Sequence, residues 1–293
     1  MENRMDCKST AFSSTLRINC RGRELIIDHP LIMGIMNLTP DSFYDGGHYP
    51  SLPDVLRHTD QMIQAGADII DLGAVSTRPG SMGVSGQEEE GRLLPVLEVI
   101  REQFPDILIS VDTYRSGVAR KVIDLGADMI NDISAGRFDP AMITVLSGQN
   151  IPYIMMHIQG QPATMQLNPI YEDVVGQIHR FFEERIALAA QGGIQDLIID
   201  PGFGFGKTVE HNYRLLASLE QFMSFGRPVM AGLSRKSMIN KVLNTSPSEA
   251  LNGTTVLNTI AILKGAHILR VHDVMEASQT VKLCREFVTA ALN

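Results

Sequence analysis

The chain has no tryptophan, only three cysteines and a deficit of basic residues. Each absence excludes something. Cys7, Cys20 and Cys284 are odd in number and show no metal-ligand spacing, so neither a disulfide framework nor a cysteine-based zinc site is expected. Lys and Arg total 25 against 33 Asp and Glu, a formal net charge of -8, which argues against a general nucleic-acid surface. A few clustered cations could still serve a small anionic ligand, because distant acidic charge is screened. No run of about 18 apolar residues is present, so no membrane span is expected. Met1 to Cys20 lacks the apolar core of a signal peptide. These absences lead us to expect a cytoplasmic protein.

What is present is a recurring pattern. Leu31 to Met36 forms an apolar run of the kind that makes a strand buried on both faces. It breaks at Asn37 into Thr39-Pro40-Asp41-Ser42 and Asp45-Gly46-Gly47, a loop rich in turn formers and oxygen ligands. Joints from helix to strand repeat down the chain: Ala65-Gly66-Ala67-Asp68, Leu125-Gly126-Ala127-Asp128, Lys264-Gly265-Ala266-His267, and the variant Gln191-Gly192-Gly193-Ile194-Gln195-Asp196. In each a glycine stands where a helix would close in a left-handed turn before a short apolar strand. Strands are expected near 31, 68, 107, 129, 151, 197, 228 and 267, with helices between most of them, one compact over Gly117–Leu125. Ser51-Leu52-Pro53-Asp54 and Ser246-Pro247-Ser248-Glu249 read as helix starts. Residues 15–27 read as a hairpin turning at Arg21-Gly22-Arg23. The 293 residues then give a short N-terminal tail, 1–14, expected to be flexible, and one domain, 15–293. That domain is an α/β TIM (β/α)8 barrel with the hairpin capping its base. A doubly wound open sheet is the runner-up.

Polar residues gather at or just after the expected strand ends: Asn37; Asp71 with Ser76, Thr77 and Arg78; Asp112; Asn131 with Asp132; His157; Asp200; Ser234, Arg235 and Lys236; and Arg270, His272 and Asp273. In a barrel these ends converge on one face. A single Asp after a strand usually caps a helix, but polar endings on every strand define a site. Asp200-Pro-Gly-Phe-Gly-Phe-Gly-Lys-Thr208 fails both nucleotide motifs that it suggests. A Walker A loop would need Gly at Pro201, and a dinucleotide fingerprint would need Gly at Lys207 or Val209. What remains is an aromatic-bearing loop beside a carboxylate, suited to a flat heterocycle. His157 and His272 show no zinc-type spacing, and the oxygen-rich rim suits a loosely held Mg2+ shared with phosphates.

Taken together, Met33–Phe43, Ser76–Gly80, Ser110–Thr113, Ile130–Ile133, Met156-His157, Asp200–Lys207, Gly232–Ser237 and Gly265 through Asp273 resemble the dihydropteroate synthase family in order, over nearly the whole chain. The resemblance implies a TIM barrel, usually a homodimer and a sulfonamide target, that joins 6-hydroxymethyl-7,8-dihydropterin pyrophosphate to p-aminobenzoate with Mg2+. It places Asp112, Asn131, Asp200 and Lys236 on the pterin, and Asn37 on Mg2+. Asn37, Arg78, Arg270 and His272 fall on the pyrophosphate, and Thr77, Pro79, Phe205 and Ser234 on p-aminobenzoate. Asp112, Lys236, Arg270 and His272 are the implied catalytic set. The partners implied are small molecules, with no nucleic acid and no membrane. One departure is visible: the family reads Gly-Gly-Glu before Ser-Thr-Arg-Pro-Gly, and here the segment is Gly73-Ala74-Val75. Two alternatives share the pterin slot: a methyltetrahydrofolate–corrinoid methyltransferase domain, and a non-catalytic pterin-binding homologue. The Ser76–Gly80 loop and the Ser234-Arg235-Lys236 segment count against the first. Intact Asn37, Asp112, Asp200, Lys236, Arg270 and His272 count against the second.

Overall fold

The computed structural model describes residues 15–39, 51–75 and 83–292. The expected tail over residues 1–14 lies outside them. A hairpin of β1 (Leu16–Cys20) and β2 (Arg23–Ile27) leads into β3 (Leu31–Asn37) and α1 (Leu52–Ala65). Then follow β4 (Ile69–Gly73), α2 (Gly86–Gln103), β5 (Leu108–Asp112), α3 (Ser116–Asp124), β6 (Met129–Asp132) and α4 (Ala141–Leu146). The second half runs β7 (Tyr153–Met156), α5 (Val174–Gln191), β8 (Leu197–Asp200), α6 (Val209–Ala217), β9 (Met230–Ala231), α7 (Ser237–Leu243), α8 (Leu251–Leu263), β10 (Ile268–Val271) and α9 (Val274–Leu292). Strands pair in parallel in the order β8-β7-β6-β5-β4-β3-β10-β9. A parallel bridge between Ile199 and Val229 closes β8 onto β9, where the Ile199 N–H donates to the Pro228 carbonyl at 2.9 Å. The sheet is a (β/α)8 barrel.

The repeated joints show why glycine recurs. Gly66, Gly126, Gly193 and Gly265 have φ of +102°, +102°, +78° and +91°, where a side chain is strained. The next polar residue clasps the neighbouring strand at two points. The Asp68 N–H donates to Ile32 O (2.9 Å) while its carboxylate accepts from Ile32 N (2.8 Å). Asp128 does the same with Ile109, at 2.8 Å both ways. His267 does so with Val229, donating to its carbonyl at 2.8 Å and accepting at Nδ1 from its N–H at 3.2 Å. The repeat is thus a strand-registering device.

Some boundaries differ from the sequence expectation. Pro152 has no N–H for the ladder, so β7 begins at Tyr153; after Pro228, Val229 gives its N–H to the His267 imidazole, so β9 begins at Met230, although both proline carbonyls accept from a neighbouring strand. The Ser246–Glu249 capping box forms, but on a 3-10 turn, and α8 starts at Leu251.

Strand alternation divides the core. Ile70, Leu72, Ile109, Val111, Ile130, Leu197, Ile199 and Leu269 pack outward under the helices. Leu31, Met33, Ile69, Leu108, Met129, Ile154, Ile198, Met230 and Ile268 meet inside the barrel, and Ile18, Cys20 and Ile27 of the hairpin close that plug from below. An apolar plug at the N-terminal end leaves the C-terminal half of the lumen for polar groups.

Candidate active site

Two residues further along five of the strands, the same inward face turns polar. Ile69 gives way to Asp71, Leu108 to Ser110 and Asp112, Met129 to Asn131, Ile198 to Asp200 and Ile268 to Arg270. Register aligns Asn37 with Gly73, Gly73 with Asp112, and Asp112 with Asn131. Gly73 keeps this corner open: a Cβ there would sit 3.8 Å from Asn37 Oδ1 and 3.9 Å from Asp112 Oδ2.

The Arg270 guanidinium spans two carboxylates. Its Nε donates to Asp71 Oδ2 at 2.6 Å and a terminal nitrogen donates to Asp112 Oδ2 at 3.1 Å. Asp71 is fully buried and also accepts from Asn131 Nδ2 at 3.2 Å. Such charge-assisted pairs need good geometry to offset desolvation, and here both carboxylates share one guanidinium. Burial pushes the Asp112 carboxyl up to about 7; Arg270 opposes that rise, while Asp71, Glu89 and Asp132 add to it.

On the opposite wall Asp200 is buried, and its Oδ1 accepts from the Gly202 N–H at 2.8 Å. Burial raises its pKa, and the charges of Lys236, Arg270 and Lys207 pull the other way. The Lys236 ammonium donates to the Phe203 carbonyl and lies 4.8 Å from the Phe205 ring centroid, a cation–π placement. Burial lowers its pKa to about 8, against the pull of Asp200. A Cβ on Gly232 would touch both Lys236 Nζ (3.5 Å) and Arg270 Cβ (3.9 Å), so the two cations flank one glycine. At the rim, Ser234 Oγ lies 2.9 Å from His272 Nδ1 and accepts from the His272 N–H at 3.2 Å. Ile133, Met156, Ile158 and Met165, with Tyr114, Phe138 and Phe205 against them, form an apolar wall beside these groups.

The expected residues Asn37, Asp112, Asn131, Asp200, Phe205, Ser234, Lys236, Arg270 and His272 are therefore linked around one mouth. Thr77, Arg78 and Pro79 lie outside the described residues. Ser234 stands against His272, on the side assigned to phosphate. Two polar strand ends turn elsewhere. Asp132 faces outward, where Ser134, Gly136 and Tyr153 saturate it, with Tyr153 Oη donating at 2.7 Å. Arg235, at φ +56°, pairs with Asp273 through Nε at 3.0 Å and a terminal nitrogen at 2.5 Å, tying the loop after β9 to the loop after β10. Sequence placed Asp71 at a strand end without giving it a role, and it did not single out Asn212, whose Oδ1 accepts from Gly204 N at 2.7 Å. Strand parity turns Asp71 inward, but its hub role depends on Arg270 across the barrel; nothing local marks Asn212. A separate polar cavity of about 450 Å³ lies beside the hairpin, but its charged groups Arg17, Glu24 and Asp196 already bond to one another or to Asn19.

No group of three or more His, Cys, Asp or Glu suited to a metal occurs among the described residues. Asn37 offers an amide oxygen beside Asp112 at the rim. That donor set fits Mg2+, which keeps its waters and takes its remaining ligands from phosphate.

A closed barrel with acids and an amide deep in its mouth, cations beside them and an aromatic wall defines an enzyme for a flat, hydrogen-bonding heterocycle with an anionic tail. Residues 33–272 match the pterin-binding enzyme family. The chain is 45% identical over 280 residues to the dihydropteroate synthase of Escherichia coli K12, covering 95% of this chain and 99% of that one. It is similar in structure to Yersinia pestis dihydropteroate synthase in a sulfonamide complex (TM-score 0.89, 40% identity, 94% and 100% covered). The Xanthomonas albilineans enzyme with 4-aminobenzoic acid is comparable (TM-score 0.87, 39% identity, 94% and 98% covered). The chain belongs to the pterin-binding enzyme family and, within it, to the dihydropteroate synthases.

Proposed function

We infer that this protein is a transferase that condenses 6-hydroxymethyl-7,8-dihydropterin pyrophosphate with p-aminobenzoate, releasing pyrophosphate and forming 7,8-dihydropteroate. The observation that carries the reading is the chain of contacts Asn131–Asp71–Arg270–Asp112, which puts heterocycle acceptors and a phosphate-type cation in one mouth. The aminopyrimidine edge of a pterin presents paired N–H donors, which Asp200 accepts as a charge-assisted pair. Asn131 supplies both a donor and an acceptor, and Lys236 donates to ring oxygen or nitrogen. Arg270 and His272 face the diphosphate, and Ser234 holds the imidazole edge; the family resemblance assigns Arg78 to the same group. Phe205 stands on the arylamine side, to which the family resemblance also assigns Thr77 and Pro79.

The leaving group needs more help than the nucleophile, since a neutral arylamine attacks without a strong base. Asn37 would hold Mg2+, which would supply positive charge to the diphosphate oxygens. The Arg270 guanidinium stabilises charge on those oxygens as the C–O bond lengthens. The Asp112 carboxylate favours the positive charge spreading from the pterin methylene into the ring, which gives the substitution dissociative character. Arg270 already bonds to Asp112, so the carboxylate is placed before substrate arrives. The exposed pairs Val256 and Ile260 on α8, and Leu283 and Phe287 on α9, support self-association as a homodimer. No helix among the described residues is long and apolar enough to cross a membrane.

The test is turnover by the purified protein with both substrates and Mg2+, reading dihydropteroate by mass spectrometry and pyrophosphate in a coupled assay. Equimolar products support the reading. Bound pterin with no dihydropteroate would favour a non-catalytic homologue.

A further inference from the structure

The glycines of the segment between β8 and α6 serve packing. Gly202, Gly204 and Gly206 have φ of +73°, +82° and +64°. A Cβ at Gly202 would lie 1.9 Å from the His157 carbonyl oxygen, and one at Gly206 would lie 2.4 Å from that of Gln159. The turn is pressed onto the chain leaving β7. In that shape the carbonyls of residues 202 to 205 are all met by side-chain donors. Lys207 Nζ donates to Gly202 O at 2.8 Å and Phe205 O at 3.1 Å. Lys236 takes Phe203 O, and the Gln166 amide takes Gly204 O. Asn212 holds the turn from the other side, accepting from Gly204 N and donating to Thr208 O, each at 2.7 Å.

Lys207 is the centre of this arrangement and is only 3% exposed. Its third direction meets His157 Nδ1 at 3.1 Å. An ammonium has three N–H donors and nothing to accept with, which suits the two close carbonyls and one unprotonated imidazole nitrogen, with the His157 carbonyl a longer contact at 3.4 Å. Burial lowers the pKa of both Lys207 and His157, consistent with a neutral imidazole. A methionine could fill the volume; three directed bonds need the amine.

We propose that Lys207 is a positioning residue of the synthase reaction: by gathering the carbonyls of the 200–207 turn it fixes the Asp200 carboxylate and the Phe205 ring as one rigid piece. The proposal rests on the synthase reading and assigns Lys207 no contact with substrate. Its effect passes through Asp200 to the pterin and through Phe205 to the arylamine.

The experiment is Lys207→Met, with the p-aminobenzoate KM from steady-state kinetics and the affinity for 6-hydroxymethylpterin from calorimetry. Displacing both groups weakens both constants by roughly tenfold or more. A merely structural role would reduce the folded fraction, lowering kcat per mole while leaving KM and Kd in place. Gln166→Ala is the second variant, removing one outer anchor of the turn while leaving Lys207. It raises the arylamine KM by about threefold and leaves pterin affinity within about twofold. A folded Lys207→Met protein with both constants within about twofold of wild type overturns the proposal. If that variant cannot be purified, an unchanged arylamine KM in Gln166→Ala overturns it. Failure of the wild-type protein to form dihydropteroate counts against the synthase reading, whereas pterin affinity in the variants still tests Lys207.

Discussion

Gly202 and Gly148 share a φ of +73° but differ in surroundings, which separates backbone strain from packing at the site. Gly148 lies in the joint after α4, and a Cβ there would meet nothing within 4 Å. Gly148→Ala therefore carries only the left-handed cost, about 1–2 kcal/mol. At about 2–4 °C of Tm per kcal/mol for a domain of this class, it lowers Tm by roughly 2–8 °C and leaves turnover unchanged. Gly202→Ala carries the same cost plus a Cβ 1.9 Å from the His157 carbonyl oxygen, where 3.0 Å is the practical floor. One backbone must retreat by the difference, 3.0 − 1.9 = 1.1 Å. The two backbones concerned are joined by His157 N–H to Asp200 O at 3.0 Å, so the retreat moves Asp200 itself. Overpacking of this kind adds about 1–3 kcal/mol, and an ångström of misplacement at a site costs on the order of 100-fold in kcat/KM. Differential scanning calorimetry and steady-state kinetics on the two variants give the comparison. Equal Tm losses, or a Gly202→Ala kcat/KM within about threefold of Gly148→Ala, would refute the packing argument.

Two further predictions concern protons. With its pKa raised from 3.8 to about 7, Asp112 binds a proton in the fold at pH values where the unfolded chain has released it. Its ionisation therefore destabilises the fold as pH rises through that interval. Asp112→Asn should be more thermostable than wild type, with a gap that opens between pH 4 and 7 and stays constant above, while turnover falls by about tenfold or more; a gap that widens toward acid would contradict the sign. His267 runs the other way. Burial lowers its pKa from 6.5 to about 4, so its contribution is complete above pH 6.5 and lost as pH falls toward 4. The difference of 2.5 between those values corresponds to on the order of 3 kcal/mol. His267→Asp, which installs the acceptor used by Asp68 and Asp128 at their joints, should flatten the dependence of denaturation midpoint on pH from 4 to 6.5. An unchanged slope would mean that another group titrates there.

The barrel was legible because its signals are local. The Gly-Ala-Asp joints, apolar strands and polar strand ends each lie within a few residues, and the repeat supplied closure. The inward set was legible too, since parity along a strand decides which of Asn131 and Asp132 enters the lumen. What sequence did not reveal depends on pairing across the barrel. Asp71 becomes a hub only because β10, 199 residues away in sequence, presents Arg270 to it. Arg235 and Asp273 flank site residues yet serve each other, a distinction made by a left-handed residue and not by composition. Lys207 read as part of a failed nucleotide motif, and its role emerged only from the acceptors that converge on its ammonium. Val75, in place of the usual Glu, lies two residues beyond β4 and next to Ala74, whose carbonyl accepts from Arg92 at 2.7 Å, so the chain leaving the strand remains anchored by α2.

The central claim is that one mouth holds the bicyclic ring deep and the diphosphate at its rim. A crystal structure of the protein with dihydropterin pyrophosphate and Mg2+ tests it most directly. The expected result is the aminopyrimidine edge on Asp200 and Asn131, the methylene near Asp112, and the diphosphate against Arg270 and His272 with the metal on Asn37. A ring seated away from Asp200, or a diphosphate that leaves Arg270 untouched, would contradict it.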